Sequence, residues 1–289
     1  MSIDTVLGTQ ERIAEIIGNL DSIATLPEVV ARITSTVNDP RSTPGDLYHI
    51  ISHDPSLVAK ILKLVNSSFY SRASEIHSVE RAITLLGFET IHHLAIAATM
   101  GQLFKNVKLC DGYTAKDLWT HSIAVAAAAR EMAKLTYPEL SEEVFLAGLV
   151  HDVGMLVALQ VRPEKLRTVC ERAKTDSTSF TGIELAVTGV DHQELGAALA
   201  RKWGFPPACR IVARNHHYPM LADEPWRPIA AIVHAADALC CQAGIGFDLT
   251  AKNELADEAG FQGLVPFSAI EHVSENLRSL VDPAIQMFH

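Results

Sequence analysis

Residues 145–159 of this chain, FLAGLVHDVGMLVAL, are almost wholly apolar, yet carry an adjacent imidazole and carboxylate, His151 and Asp152, near their centre. Leu146, Leu149, Val150, Val153 and Leu156 surround the pair at spacings that suit a buried helix, expected to run from Ser141 to about Leu159. An ionised Asp in such surroundings is costly unless a metal, an Arg or a set of donors pairs with it. A neutral imidazole beside a carboxylate is also a ready metal-ligand pair. The pair reads either as hydrogen-bonded partners inside a helix or as part of a ligand set. The rest of the chain must supply what lies against it.

With 289 residues, 48% of them apolar and 20% charged, the sequence has material for a sizeable core in one large domain or two ordinary ones. A formal net charge of -10 argues against broad attraction to nucleic acid or anionic lipid, so neither is an expected partner. No apolar run approaches the roughly 18 to 20 residues needed to span a bilayer. The acidic, polar start MSIDTVLGTQERIAEI is not a secretory signal. Cys110, Cys170, Cys209, Cys240 and Cys241 are odd in number and form no C-x-x-C pair. Reduced thiols in a cytoplasm, packed as small apolar side chains, are expected.

The first hundred residues read as short helices. Thr43-Pro44 and Asp54-Pro55 each set a capping side chain before a first-turn proline. Leu57, Ile61, Leu64 and Val65 then mark one buried helical face, which Asn66-Ser67-Ser68 ends. Ser78 caps a helix that stops at Gly87, and Glu89 to Phe104 forms the next. No strand pattern of convincing length is present. His53, His77, His92 and His93 are scattered without catalytic spacing and read as surface or packing residues. The polar, Gly112-containing stretch Lys105 to Ala115 is the expected boundary between two helical lobes, residues 1–105 and 106–289.

Five further features fall in the second lobe. An Ala-rich helix from Asp117 to about Lys134 contains His121. Asp191-His192 opens a helix stopped by Gly204-Phe205-Pro206. Asn215-His216-His217-Tyr218-Pro219 follows. After Trp226-Arg227-Pro228, a helix carries Asp237 on its apolar face. A polar loop from Gly244 precedes a last helix from about Ser268 to Leu280. Singly, each of these residues is as well explained by packing or solvation. Together, separate helices and one loop each offer an imidazole or carboxylate, and divalent transition metals favour such mixed nitrogen and oxygen ligands.

The runs SHDPSLVAKILKLVNSSFY and IHSVERAITLLGFETIHHLAIA resemble the HDOD family. The shared pattern is an Asp-Pro, a leucine-rich helix ending in Asn-Ser, then a helix ending in Leu-Gly before an amphipathic helix. Leu26-Pro27 also fits, and the likeness runs from about residue 20 to beyond 240. It implies an all-α bacterial signalling module in two helical lobes, the second an HD-domain-like bundle related to the HD phosphohydrolases. By that resemblance, His121, His151, Asp152 and Asp237 are first-site metal positions. By likeness to the HD-GYP phosphodiesterases, His192, His216 and His217 are second-site positions. Iron, manganese, zinc or nickel would suit the set, and no organic cofactor is expected. The chain departs from the hydrolase pattern where Met155 replaces a Lys, and where HHYPM lacks the GYP-containing loop. No catalytic residue is therefore assigned. The resemblance implies a regulatory module acting through contacts with a kinase, a cyclic-dinucleotide enzyme or a transcription regulator. The alternative is a metal-dependent phosphohydrolase acting on nucleotides or cyclic dinucleotides.

Overall fold

The computed structural model describes residues 13, 16, 28–67, 75–104, 107–254 and 263–288. Leu26-Pro27, the segment from Ser68 to Tyr70, and the first two residues of the expected boundary, Lys105 and Asn106, lie outside the described residues. The architecture is all-α. Helices α1 (Glu28–Val37), α2 (Pro44–Ser52), α3 (Pro55–Val65), α4 (Val79–Leu86) and α5 (Phe88–Met100) form the first part of the chain. Their starts are set by the expected caps. Thr43 and Asp46 make a reciprocal capping box, the Asp54 carboxylate accepts from Leu57 N at 3.0 Å, and Ser78 Oγ accepts from Arg81 N at 3.2 Å. Leu57, Ile61, Leu64 and Val65 are buried in one cluster with Ile33, Leu47, Ile51, Ile83, Ile91 and Leu94.

Helix α5 belongs to two apolar clusters. Ile91, Leu94 and Ala95 face the first, while Ile96, Ala97 and Met100 face the larger one built by the rest of the chain. The stretch expected to be the boundary between the lobes holds a small hairpin. Strands β1 (Lys108–Cys110) and β2 (Tyr113–Thr114) pair antiparallel across Asp111-Gly112, with Gly112 at φ 84°. An Asp-Gly pair favours this tight turn, and Leu109 and Cys110 bury beneath it.

Helices α6 (Ala115–Thr136), α7 (Ser141–Val150), α8 (Val153–Val161), α9 (Pro163–Ala173), α10 (Phe180–Thr188), α11 (His192–Lys202), α12 (Pro207–Asn215), α13 (Arg227–Gln242) and α14 (Phe267–Phe288) complete the described fold. The single helix expected from Ser141 to Leu159 is two helices. The chain turns at His151-Asp152, where Asp152 has φ -96° and ψ 14°, and Met155 N bonds Asp152 O at 2.9 Å. Apolar side chains continue on both sides of the break, so periodicity alone does not reveal it. By length and composition the stretch Pro138–Val161 could cross a membrane, but 78% of its most apolar 18-residue window is buried inside the protein, and the stretch is bent at its centre. Helix α14 is longer than expected and spans both clusters. Its Phe288 packs against each, and Lys63 Nζ donates to Met287 O at 2.9 Å.

Candidate metal centre

Close backbone approach decides where His151 and Asp152 sit. A Cβ on Gly154 would overlap the His192 carbonyl and the Gly196 backbone nitrogen, so only glycine lets the first turn of α8 lie directly on the first turn of α11. The contact brings His192 beside Asp152. On the other side, Gly246, at φ 70°, lies so close to the backbone of Asp117 and His121 that a Cβ would overlap both. Phe247 N donates to Asp117 O at 3.0 Å, which fixes the Ile245 carbonyl over the His121 ring.

All seven expected positions converge. The ligand atoms of Asp152, His192, His216 and His217 lie within 4.8 Å of one another, as do those of His121, His151 and Asp237. The division differs from that implied by the family likeness, because Asp152 faces both groups. Its Oδ2 is 3.4 Å from His151 Nε2, while its Oδ1 is 3.2 Å from His192 Nε2 and 3.4 Å from His216 Nε2. Six of the seven residues are fully buried and His217 is 5% exposed.

The hydrogen bonds around the rings share one sense. His151 Nδ1–H donates to Gly148 O at 2.7 Å, His121 to Ile245 O at 3.2 Å and His216 to Val212 O at 3.1 Å. His192 Nδ1 lies 2.6 Å from Glu184 Oε2, and His217 Nδ1 lies 2.9 Å from Glu254 Oε1. Carbonyls and carboxylates only accept, so each ring donates outward through Nδ1 and turns Nε2 inward. The inward Nε2 atoms crowd one another and the carboxylates. His192 Nε2 is 3.2 Å from His216 Nε2 and 3.0 Å from His217 Nε2, and His121 Nε2 is 3.0 Å from Asp237 Oδ1. His151 Nε2, both Asp152 oxygens and Asp237 Oδ2 have no hydrogen-bond partner among the described residues.

The protonation preferences follow from burial and charge. Burial, with the adjacent imidazole, pushes His216 and His217 down to about 3. Burial also opposes charge on His151, but Asp152 and Asp237 outweigh it and raise the ring to about 9. Asp152 and Asp237 are held below the usual carboxylate range, because the neighbouring imidazoles outweigh their burial. Two dehydrated carboxylates and five inward-facing Nε2 atoms make a set that a divalent cation fits, the cation taking the place of the protons that the carboxylates otherwise draw onto His151 and His192.

Glu184, Glu254 and His234 complete the surroundings. Glu184, in α10, is 3% exposed, and burial raises its carboxyl. Glu254 also approaches His234, whose Nδ1 donates to His216 O at 2.6 Å. Sequence reading assigned none of the three. The one available signal was for Glu184, an acid inside the otherwise apolar short helix FTGIELAVT.

Residues 23–219 match the HDOD domain family. An uncharacterized protein of Treponema pallidum (strain Nichols) is 26% identical over 237 residues, or 82% of this chain and 45% of that protein. The chain thus spans about half the length of the curated relative it matches. The fold resembles that of an HDOD domain protein of unknown function from Geobacter sulfurreducens, with a TM-score of 0.76, 26% identity and 98% of each chain covered. It also resembles a provisionally named signal transduction protein from Marinobacter aquaeolei VT8, at 0.72 and 28% identity, over 92% of this chain and 59% of that one. A provisionally named phosphohydrolase from Shewanella amazonensis SB2B gives 0.72 and 26% identity, over 95% of this chain and 97% of that one.

Proposed function

This chain belongs to the HDOD domain family, and on that premise we propose that it is a regulatory signalling module that holds a divalent transition metal and acts through contacts with other proteins. The observation that carries the metal is the common sense of the five rings, each donating outward through Nδ1 and turning Nε2 inward beside Asp152 and Asp237. His121, His151 and Asp237 would hold one ion, Asp152, His192, His216 and His217 a second, with Asp152 shared if both are present. The ion supplies positive charge that offsets the two carboxylates. The protein's own part is to orient the rings through Glu184, Glu254 and three backbone carbonyls, and to exclude water.

Burial supports a non-catalytic role. A phosphodiester has to reach the ligand atoms, and here they lie behind side chains that leave none of the seven residues more than 5% exposed. The fully buried Met155 offers neither charge nor a donor where the hydrolase pattern has a Lys. Tyr218-Pro219-Met220 has no glycine to bring backbone amides close to phosphate. A kinase, a cyclic-dinucleotide enzyme or a transcription regulator is the class of partner that fits a module of this family, and the five free, buried cysteines fit a reducing cytoplasm.

The second reading, a metal-dependent phosphohydrolase, is favoured by the completeness of the ligand set and by the name of the Shewanella neighbour. One experiment separates the two. Metal content is measured on protein purified without added metal, followed by assays with manganese or iron on cyclic dinucleotides and linear nucleotides. Bound metal without turnover is the result expected. Steady turnover abolished by His151→Ala would move the hydrolase reading to first place, and protein that holds no ion under either condition would remove the metal.

A further inference from the structure

His92 and His93, expected to be surface or packing residues, are 1% and 7% exposed. They sit in the first turns of α5, with Glu89 one turn earlier. Residues three and four apart share a helix face, and the ligand atoms of Glu89, His92 and His93 lie within 4.8 Å of one another. A Glu-x-x-His step is one way helical bundles present a carboxylate and an imidazole to the same ion.

The polar atoms here are left without partners. Neither ring nitrogen of His92, nor Nδ1 of His93, has a hydrogen-bond partner among the described residues. A buried imidazole with both nitrogens unbonded is costly. Burial holds both rings in the neutral, ligating form. His92 Nδ1 and Glu89 Oε2 are 3.8 Å apart, too far for a hydrogen bond. Two ligand atoms about 2.1 Å from a tetrahedral ion stand roughly 3.4 Å apart, and rotation of the exposed Glu89 side chain closes the difference.

We propose that Glu89, His92 and His93 form a separate metal site for one borderline divalent ion of the zinc, nickel or copper class. The site shares no residue with the buried centre. An ion there would sit on α5, the helix that packs in both apolar clusters.

The test counts metal. Full-length protein is stripped with chelator, equilibrated with Zn²⁺, freed of excess by gel filtration and analysed by mass spectrometry, with affinity measured by calorimetry. Wild type is expected to hold one equivalent more than Glu89→Gln and His92→Gln. Asp152→Ala, altered only at the buried centre, is expected to keep that equivalent. Should His92→Gln fold poorly, Glu89→Gln carries the test, since its side chain is 68% exposed and circular dichroism reports its fold. The Glu89 ligand is expected to account for at least a tenfold change in affinity. Equal zinc content and equal affinity in wild type and Glu89→Gln would overturn the proposal, whatever happens at Asp152.

Discussion

Glu184 Oε2 lies 2.6 Å from His192 Nδ1 and 3.1 Å from His192 N, so one buried carboxylate holds both the ring and the backbone of this residue. The carboxylate is placed by α10, a helix outside the expected ligand set, and it fixes which nitrogen of His192 faces Asp152. Replacing it with the isosteric amide weakens that acceptor and admits the wrong tautomer. Glu184→Gln is expected to lower metal affinity by about 10- to 100-fold, the range for partners that orient a ligating histidine. Calorimetric titration of the stripped variant measures it, and unchanged affinity would show that His192 does not ligate.

Asp152→Ala should lose metal and thermal stability together, because ligand binding energy is folding energy. An ion at 100 times its dissociation constant adds about 2.7 kcal/mol to the folded state. With chelator present the comparison changes sign or closes to within about 1 kcal/mol, since the variant also removes two unpaired buried oxygens. Thermal melts with and without chelator read both effects. A variant with wild-type metal content would contradict the assignment of Asp152 as a ligand.

Gly154→Ala introduces a methyl group where the His192 carbonyl already stands. Neither backbone can yield without separating α8 from α11. The expected cost is about 3 kcal/mol, the upper end of the range for overpacking, accompanied by weaker metal binding. Gly112→Ala is a control, since no atom lies within 4 Å of its added Cβ. Its strain at φ 84° stays in the hairpin, so metal content is unchanged.

Leu64→Ala tests the first cluster. Leu64 is 3% exposed among Leu57, Ile61 and Ile76. Loss of its side chain should destabilise the protein by roughly 2 to 5 kcal/mol. Denaturant unfolding measures the change, and a shift within about 0.5 kcal/mol would place this face at the surface.

Hydrolysis of cyclic dinucleotides by the metal-loaded protein is expected to be undetectable. Loss of one donor that meets developing negative charge typically costs ~10² to 10³ in rate, and both Met155 and the glycine-free Tyr218-Pro219-Met220 segment lack one. The product analysis should be run with manganese and with iron, because the ligand set suits either ion.

The helix starts were legible in the chain because their signals are local, while the set of candidate metal positions came from the family resemblance. Asp54-Pro55, Ser78 and Asp191 cap helices through atoms three residues away, and Asp237 stands out as an acid on an apolar face. What escaped depends on distance in space. Glu254 is an ordinary acid in a polar loop until folding sets it against His217, 37 residues earlier. The break at His151-Asp152 interrupts the backbone without interrupting the apolar pattern. His92 and His93 lie between Ile91 and Leu94, and the burial of both rings depends on what packs over α5. The Asp-Gly turn is a local signal as well, but the strands it joins are too short to show a strand pattern.

The approach of Gly246 to His121 also bears on how the chain is made. The Ile245 carbonyl that orients the His121 ring comes from 124 residues downstream, and Asp237, facing the same ring, from 116. Loops of that length close late in folding. A ribosome that stops before residue 237 releases a chain whose α6 can form but whose His121 meets neither partner. The orientation of this ring is therefore a property of the completed fold, set by segments that α6 meets only after they are made.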